Sequence, residues 1–196
     1  MKFFKENSYD IVKLFIYQMG ITIFSLVLYT AASAVEDVAL KLKLRIILSV
    51  FATLFYFALV YTATWEMGAK DIIRVEGGKA KRFGAKGVVV SLTSGLPSIL
   101  LALGALILVS IHLSNGSDAM YSGFAVCNLF LRFISAMFLG IIEGIFGSPI
   151  ETVDYLRHSV GFLVAPLVTA AVAQLGYTLG EKNIKLLSGF SGKKKS

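Results

Sequence analysis

Apolar and polar positions along this chain sort into five long apolar stretches divided by short polar ones. The apolar stretches cover Leu14–Ala34, Ile46–Thr64, Val88–Leu113, Ala119–Gly147 and Val160–Gly180. A bilayer core about 30 Å thick needs ~20 apolar residues per helix at ~1.5 Å rise. The stretches have that length, so the pattern predicts an all-α, polytopic integral membrane bundle of four or five transmembrane helices. It forms a single transmembrane domain over residues 1–196.

Local signals refine the ends. Ser8 is predicted to cap the first helix, with Asp10 in its first turn. Tyr61 and Trp65 stand at the end of the second stretch, where amphipathic rings favour the headgroup layer. Ser114-Asn115-Gly116-Ser117 reads as a tight turn, although it also fits the glycosylation sequon. Ser148, Pro149 and Glu151 form a predicted helix start, with Ser148 as cap and Pro149 at the first helical position. Ala32-Ser33-Ala34 imitates a signal-peptide cleavage site. The stretch before it is longer than a leader's apolar region and its flank carries Glu6 and Asp10, so it reads as a retained helix.

Composition agrees with the pattern. Hydrophobic residues make up 56% and charged residues 16%, with a mean hydropathy of +0.76. Soluble domains average roughly 45–50% and about 25%. The net charge of +7 sits in short stretches beside the apolar ones rather than in a separate basic domain, which excludes a nucleic-acid-binding module. The single Cys127 lies inside an apolar stretch and reads as a small hydrophobe.

The charges also bear on topology. Glu66–Gly87 is a polar loop carrying Lys70, Arg74, Lys79, Lys81, Arg82 and Lys86, and the positive-inside rule assigns it to the cytoplasm. With five full crossings, ten basic residues lie inside and eight outside, because the tail from Glu181 with Lys193-Lys194-Lys195 falls outside. If the fourth stretch instead enters and leaves on one face, the tail joins the loop and the division becomes fourteen against four. Four crossings fit the rule better, while five remain the plain reading of the apolar lengths. The expected location is a cell membrane, the bacterial plasma membrane.

Candidate chemistry is sparse. Arg132 and Glu143 are charged groups within the fourth stretch, where a charge at a helix centre costs ~2.5–3.5 kcal/mol or more and marks a bundle interior or water. On a straight helix they share a face but stand roughly 16 Å apart, so each needs a partner elsewhere or the segment must fold back. Ser94, Gly95 and Pro97, with Ser91, Thr93 and Ser98 around them, suggest either a broken helix that exposes backbone groups or an ordinary Pro kink. Gly140 and Gly144, extended by Ala136, have the small-residue spacing that lets helix backbones approach, within the bundle or in a homo-oligomer. Lys79, Lys81, Arg82 and Lys86 offer a surface for lipid headgroups or a partner subunit. The glycines of that loop fail the phosphate-loop pattern. Glu151, Asp154 and His158 can share one helix face, read as a solvated face rather than a metal site. His112 reads as an interfacial side chain. No nucleophile, base and metal set converges, so an enzyme is disfavoured and no metal or cofactor is expected. The remaining expectations are a small transporter, channel or permease subunit, or a non-catalytic partner, scaffold or regulatory subunit.

Overall fold

The computed structural model describes residues 2–79 and 81–184, and it is a helical bundle with no strand among the described residues. The helices are α1 (Lys2–Ser33), α2 (Val38–Glu76), α3 (Lys86–Ser94), α4 (Leu96–Asn115), α5 (Asp118–Ile134), α6 (Leu139–Phe146) and α7 (Thr152–Glu181), with a 3₁₀ turn at Ala136–Phe138 before α6. Four of these, α1, α2, α4 and α7, are long and apolar enough to cross a membrane. The bent pair α5–α6 is a fifth candidate only if counted as one span. The basic tail from residue 185 onward lies outside the described residues.

Side-chain placement is that of a membrane protein. Gln18, Thr22, Ser25, Ser49, Thr53, Thr64, Ser91 and Ser98 are buried in the bundle, whereas Ile16, Ile23, Leu54, Leu100, Ile107, Leu129 and Leu167 are exposed on its outside. Apolar lipid tails favour exposed aliphatic side chains. Polar groups must then find partners inside.

Several predicted boundaries move, each for a visible reason. Helix α1 starts before Ser8, whose hydroxyl donates to Lys5 O at 3.1 Å instead of capping. Phe3 packs edge-on against Phe83 at 5.5 Å, a tertiary contact that holds the extra turn in place. Helix α2 runs on to Glu76, so the first half of the predicted loop is helix and the connector shrinks to residues 77–85. Gly78 at φ +69° closes α2, with Gly78 N–H donating to Val75 O and Lys79 N–H to Arg74 O. The third apolar stretch divides at Gly95 into α3 and α4. The last helix begins at Thr152, not at Ser148 or Pro149. The Asp154 carboxylate accepts from Ile150 N–H and Glu151 N–H at 3.1 Å each and thereby sets the start.

The fourth stretch does not run straight. Helices α5 and α6 meet at 83° across the break after Ile134. Both outer ends of this pair reach the same end of the bundle. Tyr121 near the start of α5 stacks on His112 at 5.0 Å, Phe124 meets Tyr155 at 5.3 Å, and His158 Nε2–H donates to Gly147 O at 2.9 Å. At the other end, Arg82 and Glu181 pair at 3.0 Å and Trp65 Nε1–H donates to Ile184 O at 2.7 Å. The connector 77–85 and the end of α7 therefore share one end of the bundle. The chain passes from end to end four times, with α5–α6 folding back on itself.

Helices α2 and α7 form the tightest pair. A methyl group on Gly68 would collide with Tyr177 O, one on Gly176 with the Thr64 hydroxyl, and one on Gly180 with Trp65 O. These glycines are required by close backbone approach.

Two outcomes follow from this arrangement. A compartment-sensitive reporter fused after Ser196 and a second one within residues 77–85 will read the same side, and opposite readings would overturn the folded-back fourth segment. Gly68→Val will destabilise the bundle by about 1–3 kcal/mol or more through overpacking, measured by denaturant titration in detergent. Gly20→Val, where nothing lies within 4 Å of the added carbon, will change stability far less.

Candidate functional site

The two helix breaks meet at one place. Gln18 of α1, Tyr56 of α2, Ser91 of α3, Gly95, Ser98 of α4, Ser135, Phe138, and Pro166 and Thr169 of α7 line a cavity of about 20 Å³. That is room for about one water molecule. Gly95 is the hinge between α3 and α4, and Ser135 closes α5 before the 3₁₀ turn. Pro166 interrupts the hydrogen-bond ladder of α7 at the same level. Gln18 Nε2–H donates to Ser98 Oγ at 2.8 Å, tying α1 to the start of α4.

Breaking a helix inside lipid frees carbonyl and amide groups that must be satisfied by protein. Thr22 Oγ1–H donates to Ile134 O at 2.7 Å. Met137 O accepts from both the Ser49 and Thr53 hydroxyls, and Gly140 N–H donates back to Ser49 Oγ at 3.1 Å. At the other break, Ser91 O accepts from Gly95 N–H at 3.0 Å and from the Ser94 hydroxyl at 2.8 Å.

A charged cluster lies towards the end of the bundle where α7 begins. Glu143 of α6 is 3% exposed. Its Oε1 accepts from the Tyr29 hydroxyl at 2.8 Å, and its Oε2 faces Arg45 Nη1 at 3.5 Å. The Arg45 guanidinium covers the Tyr29 ring at 4.4 Å and donates to Ser33 Oγ at 2.8 Å. Arg132 meets the Tyr155 ring at 5.8 Å, while its buried Nε and Nη2 have no hydrogen-bond partner. His158 is 1% exposed, with Nε2 on Gly147 O and Nδ1 unpartnered. The cluster thus sets two guanidiniums against one carboxylate.

A second cluster lies at the opposite end. Lys86 Nζ donates to Asp71 Oδ2 at 2.7 Å, and the Tyr177 hydroxyl donates to the same oxygen at 3.2 Å. Beside it opens a cleft of about 550 Å³, lined among others by Phe3, Glu6, Arg74, Lys79, Lys81 and Phe83. Arg74, Lys79 and Lys81 make no ion pair with a described residue. Arg82 is engaged with Glu181, and that hydrogen bond holds its guanidinium above its ordinary pKa.

The uncharged cavity sits between these clusters. Along α7, Pro166 lies ~12 Å beyond His158 and ~16 Å short of Tyr177 by helical rise. Along α2, Arg45 and Glu66 are ~32 Å apart, about one bilayer core.

Not all residues singled out by sequence meet here. Gly95 lines the cavity and Ser94 bonds backward into its own helix, whereas Pro97 is exposed on the outside of the bundle. Arg132 and Glu143 do not pair with each other and find partners on α7, α1 and α2. Ala136 is buried in the 3₁₀ turn, and Gly140 and Gly144 face Arg45, Ser49 and Ile46 of α2. Of the four loop cations, Lys79 and Lys81 line the cleft, Arg82 is paired, and Lys86 is buried on Asp71. His158 is not on a solvated face, because it points into the bundle, and Asp154 is occupied as a helix cap. Among the described residues no group of three or more His, Cys, Asp or Glu can hold a metal. Sequence reasoning passed over Gln18, Tyr56, Ser135 and Thr169, single polar positions inside apolar runs, and also Arg45 and Tyr29. Comparison with protein-family models, with curated protein sequences and with solved structures finds no match.

The charged cluster is testable by itself. Breaking a buried ion pair leaves an uncompensated charge and costs about 3–5 kcal/mol. Glu143→Leu will therefore destabilise the bundle strongly, and Arg45→Met combined with it will cost clearly less than the two singles summed. Strict additivity in a double-mutant cycle of detergent unfolding would show the pair to be uncoupled.

Proposed function

We propose that this chain is a small transporter, channel or permease subunit of a cell membrane, with the connector 77–85 and the end of α7 on the cytoplasmic face. The observation that carries this reading is the convergence of two broken helices on one uncharged polar cavity, midway between two buried charge clusters. Broken helices at mid-depth expose backbone and hydroxyl groups to a passing solute, and the breaks are where segments tilt against one another. A static membrane anchor has no use for a buried carboxylate held by Tyr29 and Arg45 or for orphaned guanidinium nitrogens at this depth, since both are costly in hydrocarbon. In this reading the Asp71–Lys86–Tyr177 and Arg45–Glu143–Tyr29 clusters close the cavity from its two sides. Opening requires one of them to part, and α5–α6 is the element whose fold-back gives it that freedom.

One observation favours a second reading, a non-catalytic partner or regulatory subunit. The cleft that holds Lys79 and Lys81 is large, basic and open, whereas the central cavity has room for one water. Co-purification of a membrane partner that is lost on Lys79→Ser with Lys81→Ser, without any solute flux, would favour this role.

The transport reading is tested by reconstituting the full chain in liposomes and following efflux of small solutes. Glu143→Gln, which keeps the shape and the Tyr29 contact but removes the charge, will lower flux by about tenfold or more, as expected for loss of ~1.4 kcal/mol or more at a charged hydrogen bond. Normal flux in a well-folded Glu143→Gln protein would remove the cluster from the mechanism.

A further inference from the structure

We infer that the basic cleft between the start of α1, the end of α2 and the connector 77–85 binds the headgroup of an anionic phospholipid that carries two phosphates. This holds whether or not the chain moves a solute. The cleft has a volume of about 550 Å³, within the ~300–1,000 Å³ of sites that enclose drug-sized molecules and far more than one phosphate fills. Its floor is neutralised internally, because Lys86 Nζ donates to Asp71 Oδ2 at 2.7 Å and the Tyr177 hydroxyl donates to the same oxygen. Arg74, Lys79 and Lys81 line the same cleft, are exposed, and make no ion pair with a described residue.

Charge selects the kind of ligand. The three cations face one remaining carboxylate, that of Glu6, which leaves an excess of two positive charges. The helix ends do not reverse that sign. Helix α2 brings its negative end to the cleft, while α1 and α3 bring their positive ends at Lys2 and Lys86. A guanidinium holds a pair of phosphate oxygens side-on, and lysines add mobile point charges. A headgroup with two phosphates matches the excess, whereas a single phosphodiester meets half of it.

Height selects a lipid over a soluble anion. Lys13 and Glu66 pair at 3.1 Å, at the level where ~32 Å of α2 measured from Arg45 brings the hydrocarbon core to its end. Asp71 on the cleft floor stands ~8 Å beyond Glu66 and Arg74 ~12 Å by helical rise. The polar layer of a bilayer extends about 5–8 Å past its core, so the floor lies among the headgroups. The long cationic side chains above it reach down to them. Phe4, Ile73 and Phe83, on the same elements, are exposed as well. Water disfavours such a group of bare apolar side chains, and a lipid seated in the cleft covers them. Basic pockets between transmembrane helices on the cytoplasmic side suit phospholipid headgroups for these reasons.

The test uses the purified full chain in detergent micelles doped with lipid. Lipid retained per chain is counted by native mass spectrometry, and the unfolding midpoint is followed in parallel. Diphosphatidylglycerol is compared with phosphatidylglycerol at twice the mole fraction, so that total charge is equal, and with inorganic pyrophosphate in the buffer. The expected result is one diphosphatidylglycerol held per chain, a raised midpoint, and binding about tenfold tighter than that of phosphatidylglycerol. Arg74→Gln with Lys79→Gln and Lys81→Gln will weaken that binding by about tenfold or more, with an unchanged midpoint in lipid-free micelles. Lys41→Gln with Lys43→Gln and Arg157→Gln removes the same charge at the opposite end and leaves binding unchanged. Equal binding of the two lipids at matched charge, or an equal loss in both triple variants, would overturn the site and leave only the general attraction of a basic chain to anionic lipid. Displacement of the lipid by stoichiometric pyrophosphate would make the ligand a soluble phosphate compound and overturn the lipid assignment. A protein subunit retained through Arg74, Lys79 and Lys81, with no lipid held, would overturn it in favour of the partner reading.

Discussion

The Met137 carbonyl, held by the Ser49 and Thr53 hydroxyls, is the contact on which the rest of the molecule depends. A helix that turns back inside hydrocarbon leaves peptide groups with no water to receive them, and each would cost several kcal/mol if left alone. Helix α2 supplies two hydroxyls, one turn apart, to one of those groups, and α1 supplies Thr22 to Ile134. The return of α5–α6 follows from that. So do the shared end of the connector and α7, and the position of Glu143 beside Arg45 and Tyr29. Gly140 completes the arrangement, because α6 can rest against the Arg45 carbonyl only where no Cβ intervenes.

How much of this is readable in the sequence depends on how the information is stored. Transmembrane helices are legible because length and hydropathy are local properties, and Leu14–Ala34 or Val160–Gly180 declare themselves. Four passes against five was only half legible, since the basic residues of 66–87 and the tail favour four while the apolar lengths read plainly as five. The break at Gly95 was half legible from Gly and Pro. The break after Ile134 was not, since Ser135-Ala136-Met137-Phe138 contains neither residue. It is imposed from a distance by Thr22, Ser49 and Thr53, three hydroxyls that look incidental in their own helices.

The candidate site shows the same division. Arg132 and Glu143 stand out because ionised groups are rare in apolar runs, yet their partners Tyr155, Tyr29 and Arg45 come from other helices. Arg45 in particular reads as one more flanking cation of a connector until the fold turns it inward. Tyr56 and Gln18 are single polar positions in long apolar stretches, and nothing local distinguishes a cavity-facing polar group from one that only bonds its own helix, as Thr64 does with Val60 O. His158 illustrates the converse error. A residue near a helix start, four places from Asp154, reads as solvated, but α7 begins at Thr152 and its first turns already pack against α5 and α6.

The glycines between α2 and α7 carry a mechanical consequence. Where Gly68, Gly176 and Gly180 bring two backbones into contact, a slide of one residue would drive a side chain into the opposing main chain. The pair is therefore locked in register. The same close approach pins α3 to α7 through Gly87 against the Ala173 carbonyl, and α6 to α2 through Gly140 against the Arg45 carbonyl, so the bundle is clamped by glycines at several levels and its joints are confined to the breaks at Gly95 and after Ile134.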